Sequence, residues 1–216
     1  MESKEKVQIF IDGGNFHHLV LKKIKAKELG FNFDDFVDFL INSRELTNKG
    51  KRYYVGSVRE QANNPQSKKV MAKQTKFFAK LKSSNWEIKT SKLRFRLEKI
   101  IIDKRTKNHK ELLKKGVKEI EYQRWREKGI DVKLATDLIA GAVDNKYDTA
   151  IIVSSDGDLI PAIDWVRNRK NKKIEYIGFS IEDKNYNTKP LQSMITHSDI
   201  QRILVKSDLM KFVLGE

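Results

Sequence analysis

The sequence predicts an α/β fold with a mostly parallel sheet, and three observations carry that prediction. Short apolar runs recur, such as Val7 to Ile11, broken only by Gln8, and Ala150 to Val153. Strands buried on both faces of a parallel sheet read in this way. Stretches with apolar residues at helical spacing separate these runs. Two of the runs also stop abruptly at acid: Ile11-Asp12-Gly13-Gly14-Asn15 and Val153-Ser154-Ser155-Asp156-Gly157-Asp158. Ligands of open parallel sheets sit beyond the carboxyl ends of the strands, so carboxylates are expected to gather at one sheet edge.

Residues 7–11 form the first buried strand. Phe16, Leu19, Val20 and Ile24 then mark one face of a helix running to about Lys27. Asn32-Phe33-Asp34 is a turn and N-cap signal before a second helix carrying Phe36, Val37, Phe39, Leu40 and Ile41. Residues 52–58 read as a strand, 66–82 as a helix with Val70, Phe77, Phe78 and Leu81 on one face, and 86–92 as another strand. From Lys133 to Val143 a helix turns Leu134, Leu138, Ile139 and Ala142 inward. A buried strand covers 150–153. Pro161 suits the first turn of the helix that follows, which runs to about Arg169, and the next strand is 174–179. The tail from Lys189 to Leu214 should hold a short turn and at least one more helix. A single domain over residues 1–216 is expected.

The texture changes between Lys89 and Lys128, which carry 15 Lys and Arg against 6 Asp and Glu. In Lys92-Leu93-Arg94-Phe95-Arg96-Leu97 the cations alternate with apolar residues, so period two puts them on one face of a strand. Residues 89–128 are expected to form a basic insertion, either a β-ribbon or a helical excursion. Lys92, Arg94, Arg96, Arg124 and Arg126 are its candidate nucleic-acid contacts. The plainer reading is a solvated surface.

Charge narrows the partners. The chain has 216 residues, 44 Lys and Arg against 29 Asp and Glu, and a net charge of +15. A balance this basic favours polyanions, most often nucleic acid. The absence of cysteine excludes disulfides, thiolate zinc sites and a cysteine nucleophile. Met1 to Lys6 is polar and the following apolar run ends at Asp12. That is too short for a signal-peptide core or a membrane span, so a cytoplasmic protein is expected.

Each acid has a plain explanation by itself. Asp12 and Asp158 could be turn or cap residues, and Asp131 could cap its helix. Asp137, beside Leu134 and Leu138, is costly near a core unless it is paired or binds a metal. Together they suggest more. Carboxylates crowded at one edge repel one another without a cation, and Mg²⁺ or Mn²⁺ takes oxygen ligands of this kind.

Three blocks give the chain a family likeness: Phe10-Ile11-Asp12-Gly13-Gly14-Asn15, Lys128 to Asp137, and Val153 to Pro161. In order and spacing they resemble the blocks of NYN domains, with the LabA-like branch of the PIN-like nuclease superfamily the nearest. The resemblance spans about residues 7 to 205. It implies a Rossmann-like three-layer α/β/α sandwich and a metal-dependent ribonuclease. It implies Asp12, Asp137, Asp156 and Asp158 as catalytic metal ligands for Mg²⁺ or Mn²⁺. Asn15, Asp131 and Ser154 would support them, and RNA would be the partner. The family usually has Gly where Ser155 stands, Phe where Leu159 stands and often Ser where Gly14 stands. Related folds often pair to widen a basic groove, so a homodimer is an expectation to test.

Two rival functions fit parts of the sequence. A basic RNA-binding regulatory module would keep the acidic edge for structure. A small-molecule phosphohydrolase with a nucleophilic aspartate would want Asp-x-Asp where Asp12-Gly13-Gly14 stands. A dinucleotide fold would want G-x-G-x-x-G, which is absent. Nothing in the sequence shows what reads a 2′-hydroxyl, so DNA stays open beside RNA.

Overall fold

A computed structural model describes residues 4–60, 65–126, 129–183 and 187–215, without the side chains of 94–96 and 123–126. Its centre is a six-stranded, all-parallel sheet: β1 (Lys6–Asp12), β2 (Glu45–Ser57), β3 (Glu87–Lys92), β6 (Thr149–Val153), β7 (Lys173–Ser180) and β8 (Ile200–Val205). The order across the sheet is β3-β2-β1-β6-β7-β8. Apart from it, β4 (Arg94–Ile101) and β5 (Glu119–Arg126) pair as an antiparallel ribbon.

Helices cover both faces. One side carries α1 (Gly13–Phe16) and α2 (Lys22–Ile24), which run into one another through a π-helical turn at His17–Leu21, with α3 (Phe33–Ile41) and α4 (Pro65–Ser83). The ribbon strands are linked through α5 (His109–Lys114). The other side carries α6 (Ile130–Val143), α7 (Ile160–Lys170) and α8 (Gln192–Thr196); α9 (Lys206–Met210) follows β8. The expected α/β/α sandwich is therefore present.

The period of two in each strand builds the layers. Ile9 and Ile11 of β1, with Ile151 and Val153 of β6, join Phe16, Phe36 and Phe77 in one core. Phe10 and Ile152, one residue out of step, join Leu134, Leu138, Ile163 and Val166 in the other. Each such side chain is nearly or fully buried, and full burial is worth about 1.5–3 kcal/mol.

Three elements differ from expectation. Helix α6 begins at Ile130, three residues before the expected start at Lys133, because Gly129 takes the left-handed conformation (φ 85°) and starts the helix at once. Strand β2 begins at Glu45 and reaches β1 through a bulge. The tail adds an edge strand, β8, to its helices. That strand was hidden because Gln201 and Arg202 interrupt its apolar run, and Ile200, Ile203 and Val205 are all partly exposed.

Strand order matters for the site. From β1 the chain steps outward to β2 and β3, then returns to the other side of β1 as β6. The carboxyl ends of β1 and β6 therefore flank the point where the winding reverses, where open sheets form a crevice.

Candidate metal centre

Asp12 is the last residue of β1 and the N-cap of α1. Its Oδ1 accepts the Asn15 N–H at 2.9 Å and its Oδ2 accepts the Ser154 hydroxyl at 3.2 Å. Gly13 must follow it, since a Cβ there would lie 2.4 Å from the Tyr53 ring. Asp12 is only 6% exposed. Burial pushes its carboxyl up to about 6, against the Asn15 hydrogen bond; the charges of Asp131 and Asp156 push the same way.

Asp156 follows β6. Its Oδ1 accepts the Asp158 N–H at 2.9 Å and so caps the 3₁₀ turn Gly157–Leu159. Asp131 stands in the first turn of α6. Burial raises its carboxyl above the usual range, with Asp156 and Asp158 adding to the effect. One carboxylate oxygen each from Asp12, Asp131 and Asp156 lies within 4.8 Å of the others. Two of these acids are caps: Asp12, as the plain reading had it, and Asp156, whereas the caps expected at Asp131 and Asp158 fall to Gly129 and Leu159. Capping does not explain why three acids from three separate elements converge, one of them buried. This hard-oxygen donor set fits a divalent cation such as Mg²⁺ or Mn²⁺.

Asn15 and Ser154 brace the group. The Asn15 Oδ1 accepts the Ser155 N–H at 2.9 Å, and the Ser154 hydroxyl also receives the Asp156 N–H at 3.2 Å. Ser155, which departs from the family pattern, shares a 2.7 Å hydrogen bond with the Tyr176 hydroxyl. Leu159, the second departure, is buried against α7 residues. Asp158 is exposed beside the group.

Asp137 is placed differently. It lies six residues beyond Asp131 on α6, about 9 Å further along the axis, and is not among the three converging acids. Its Oδ2 accepts the Tyr54 hydroxyl at 2.8 Å and lies 3.5 Å from the Arg52 guanidinium and 3.8 Å from the Lys89 ammonium. Burial and the Asp137 charge hold the Tyr54 hydroxyl far above its ordinary pKa, so it remains a donor.

Of the basic candidates, Lys92 is exposed at the end of β3. The ribbon register sets Arg94 opposite Arg126 and Arg96 opposite Arg124. These four positions stand at the root of the ribbon; their side chains lie outside the described residues. Arg126 is five residues before Asp131 in the sequence. Trp86 is a packing residue whose indole N–H donates to Asp34, whereas Trp165 is 37% exposed.

A family model for the NYN domain matches residues 6–198. The chain belongs to the NYN domain family. In this NYN domain the match takes in all three acidic blocks and the ribbon between them. Among solved structures, a protein of unknown function from Vibrio parahaemolyticus RIMD 2210633 is similar, with TM-score 0.56 and 20% identity over 94% of this chain and 95% of that one. At that identity the likeness speaks for the fold. A search of curated proteins finds no match. Among the described residues, no helix is long and apolar enough to cross a membrane.

Two features of this NYN domain escaped sequence reasoning: the partnership of Asp137 with Tyr54 and Arg52, and the bulge in β2. Thr47-Asn48-Lys49-Gly50, a turn-like tetrad within a strand, was the available signal for the bulge.

Proposed function

We propose that this NYN domain, a single domain over residues 1–216 and a member of the LabA-like branch, is a metal-dependent ribonuclease. One observation carries the reading: three carboxylates from β1, α6 and the turn after β6 converge at the reversal point of the sheet. Asp12, Asp131 and Asp156 would hold the cation, Mg²⁺ or Mn²⁺, with Asp158 beside them. Asp131 takes the ligand role that the family resemblance gives to Asp137, and Asp137 instead holds Tyr54 and Arg52. Bound there, a divalent cation supplies charge neutralisation at the phosphodiester and makes water a better nucleophile at neutral pH.

The chain's own residues position and bind. Asn15 and Ser154 fix the Asp12 carboxylate by hydrogen bonds, and no histidine base is invoked. Lys92 and the arginine pairs at the ribbon root would contact the phosphate backbone, giving salt-sensitive affinity. Water adds to phosphorus, the P–O3′ bond breaks, and the products carry 5′-phosphate and 3′-hydroxyl ends. The substrate is RNA, free in the cytoplasm, and a second copy of the chain would widen the basic groove.

The test is cleavage of labelled single-stranded RNA with Mn²⁺, Mg²⁺ or EDTA, beside Asp12→Asn and Asp156→Asn. Metal-dependent cleavage lost in both variants supports the reading. Cleavage that persists in folded Asp156→Asn sinks it. Tight, chelator-insensitive RNA binding without cleavage under any metal favours a regulatory RNA-binding module.

A further inference from the structure

A second site lies near the opposite end of the sheet. Between Val7 and Ile9 of β1 the partner register on β2 jumps from Leu46 to Lys51, so Thr47 to Gly50 bulge out of the ladder. Such bulges re-aim side chains and break pairing locally. Lys49, inside the bulge, sits at φ 54°. Gln8 stands on β1 opposite the gap and is 1% exposed, yet its Oε1 has no hydrogen-bond partner. The Thr47 hydroxyl is also buried without one. Burying an unsatisfied polar atom is destabilising, so two beside one bulge call for a function.

Both residues line a cleft of about 630 Å³ between β2 and the C-terminal half of α6, a size that suits a small ligand. Five cations line it against three acids. Arg52 is buried at its wall and held by Asp137 at 3.5 Å, while Lys49 and Lys146 are exposed at its rim. Gln8 precedes Asp12 by four residues along β1, about 13 Å of strand, so this cleft is not the acidic site.

We propose that the cleft binds an adenine nucleotide, free or as one residue of an RNA chain. A glutamine amide pairs with the N6 and N7 edge of adenine, its oxygen accepting from the amino group. Lysines at the rim complement a phosphate. Acceptor within and cations outside match a base with an amino group joined to an anion.

The experiment is calorimetric titration of the full-length chain, metal-free, with adenosine monophosphate, uridine monophosphate and inorganic phosphate. Adenosine monophosphate should bind at least tenfold more tightly than the other two. Gln8→Met should abolish that preference while the melting temperature holds or rises, since an unpaired polar atom is replaced by an apolar one of similar shape. Lys146→Ala and Lys49→Asn should weaken binding of the nucleotide and leave the base preference intact. Asp156→Asn should leave nucleotide binding unchanged, which separates this site from the proposed nuclease centre. Oligoadenylate binding lost with Gln8→Met places a base of an RNA chain in the cleft; loss for the mononucleotide only places a free nucleotide there. Equal affinity for adenosine monophosphate and phosphate, or an unchanged preference in Gln8→Met, overturns the proposal.

Discussion

Asn15 and Ser155 tie together the two strands that carry the acidic site. The Asn15 Oδ1 accepts the Ser155 N–H at 2.9 Å, and the Asn15 N–H reaches Asp12 Oδ1 at the same distance. One asparagine therefore sets the end of β1 against the loop after β6. Its replacement should loosen the loop that carries Asp156, while the backbone bond to Asp12 remains.

Asn15→Ala should lose about 1–3 kcal/mol of stability, because it leaves the part-buried Ser155 N–H unpaired. Divalent-cation affinity should fall about 10–100-fold, the usual consequence of removing a residue that orients ligands. Chemical denaturation and Mn²⁺ titration check the two effects separately.

Asp131→Asn and Asp137→Asn separate the two assignments of the α6 ligand. Asp131→Asn should strongly weaken Mn²⁺ binding, since its oxygen lies within 4.8 Å of those of Asp12 and Asp156. Asp137→Asn should leave Mn²⁺ binding near that of the parent. Its effect should fall on Arg52, which would lose the carboxylate charge at 3.5 Å and keep that of Glu87 at 3.8 Å. Mn²⁺ titration of both variants decides, and the reverse order would return Asp137 to the ligand set.

Metal-free protein should lose stability as pH rises from about 4 to above 6. The buried Asp12 carboxyl has its pKa raised from 3.8 to about 6, so the folded state holds this proton more tightly than the unfolded chain. Its contribution is therefore complete below pH 3.8 and lost as pH passes through 6. The size is about 3 kcal/mol, superimposed on the other titrating groups. Asp12→Asn should flatten that part of the curve, as read by denaturation at several pH values.

Phe16→Ala tests the core that supports the site. The Phe16 ring is fully buried, with the Phe31, Phe33, Phe36 and Phe179 rings centred 5.3–5.7 Å away. Truncation should cost about 3–5 kcal/mol and lower the melting temperature.

Replacing Arg94 and Arg96 by alanine should weaken RNA binding and reduce its salt dependence. For every phosphate that an arginine no longer neutralises, the slope of log K against log salt should become shallower by about 0.7. An unchanged slope would remove the ribbon root from the RNA path.

Much of this protein was legible in its sequence, for reasons of period and chemistry. Apolar runs, broken only by Gln8, marked β1 and β6 because both faces of a parallel strand are covered. Acid directly after those runs marked the sheet edge, since Asp12 and Asp156 are fixed to strand ends by adjacency alone. The three blocks also sufficed to point to the NYN family. Tertiary structure decided which acids meet. Asp131 and Asp137 share one helix, and spacing could not say which would meet Asp12; the packing of α6 brings an Asp131 oxygen within 4.8 Å of those of Asp12 and Asp156, while Asp137 accepts from Tyr54 and lies 3.5 Å from Arg52. The unpartnered Gln8 Oε1 was equally invisible, because it depends on a bulge in a neighbouring strand almost forty residues away. Local patterns fix what each segment becomes, whereas partners distant in sequence are set by how the segments pack.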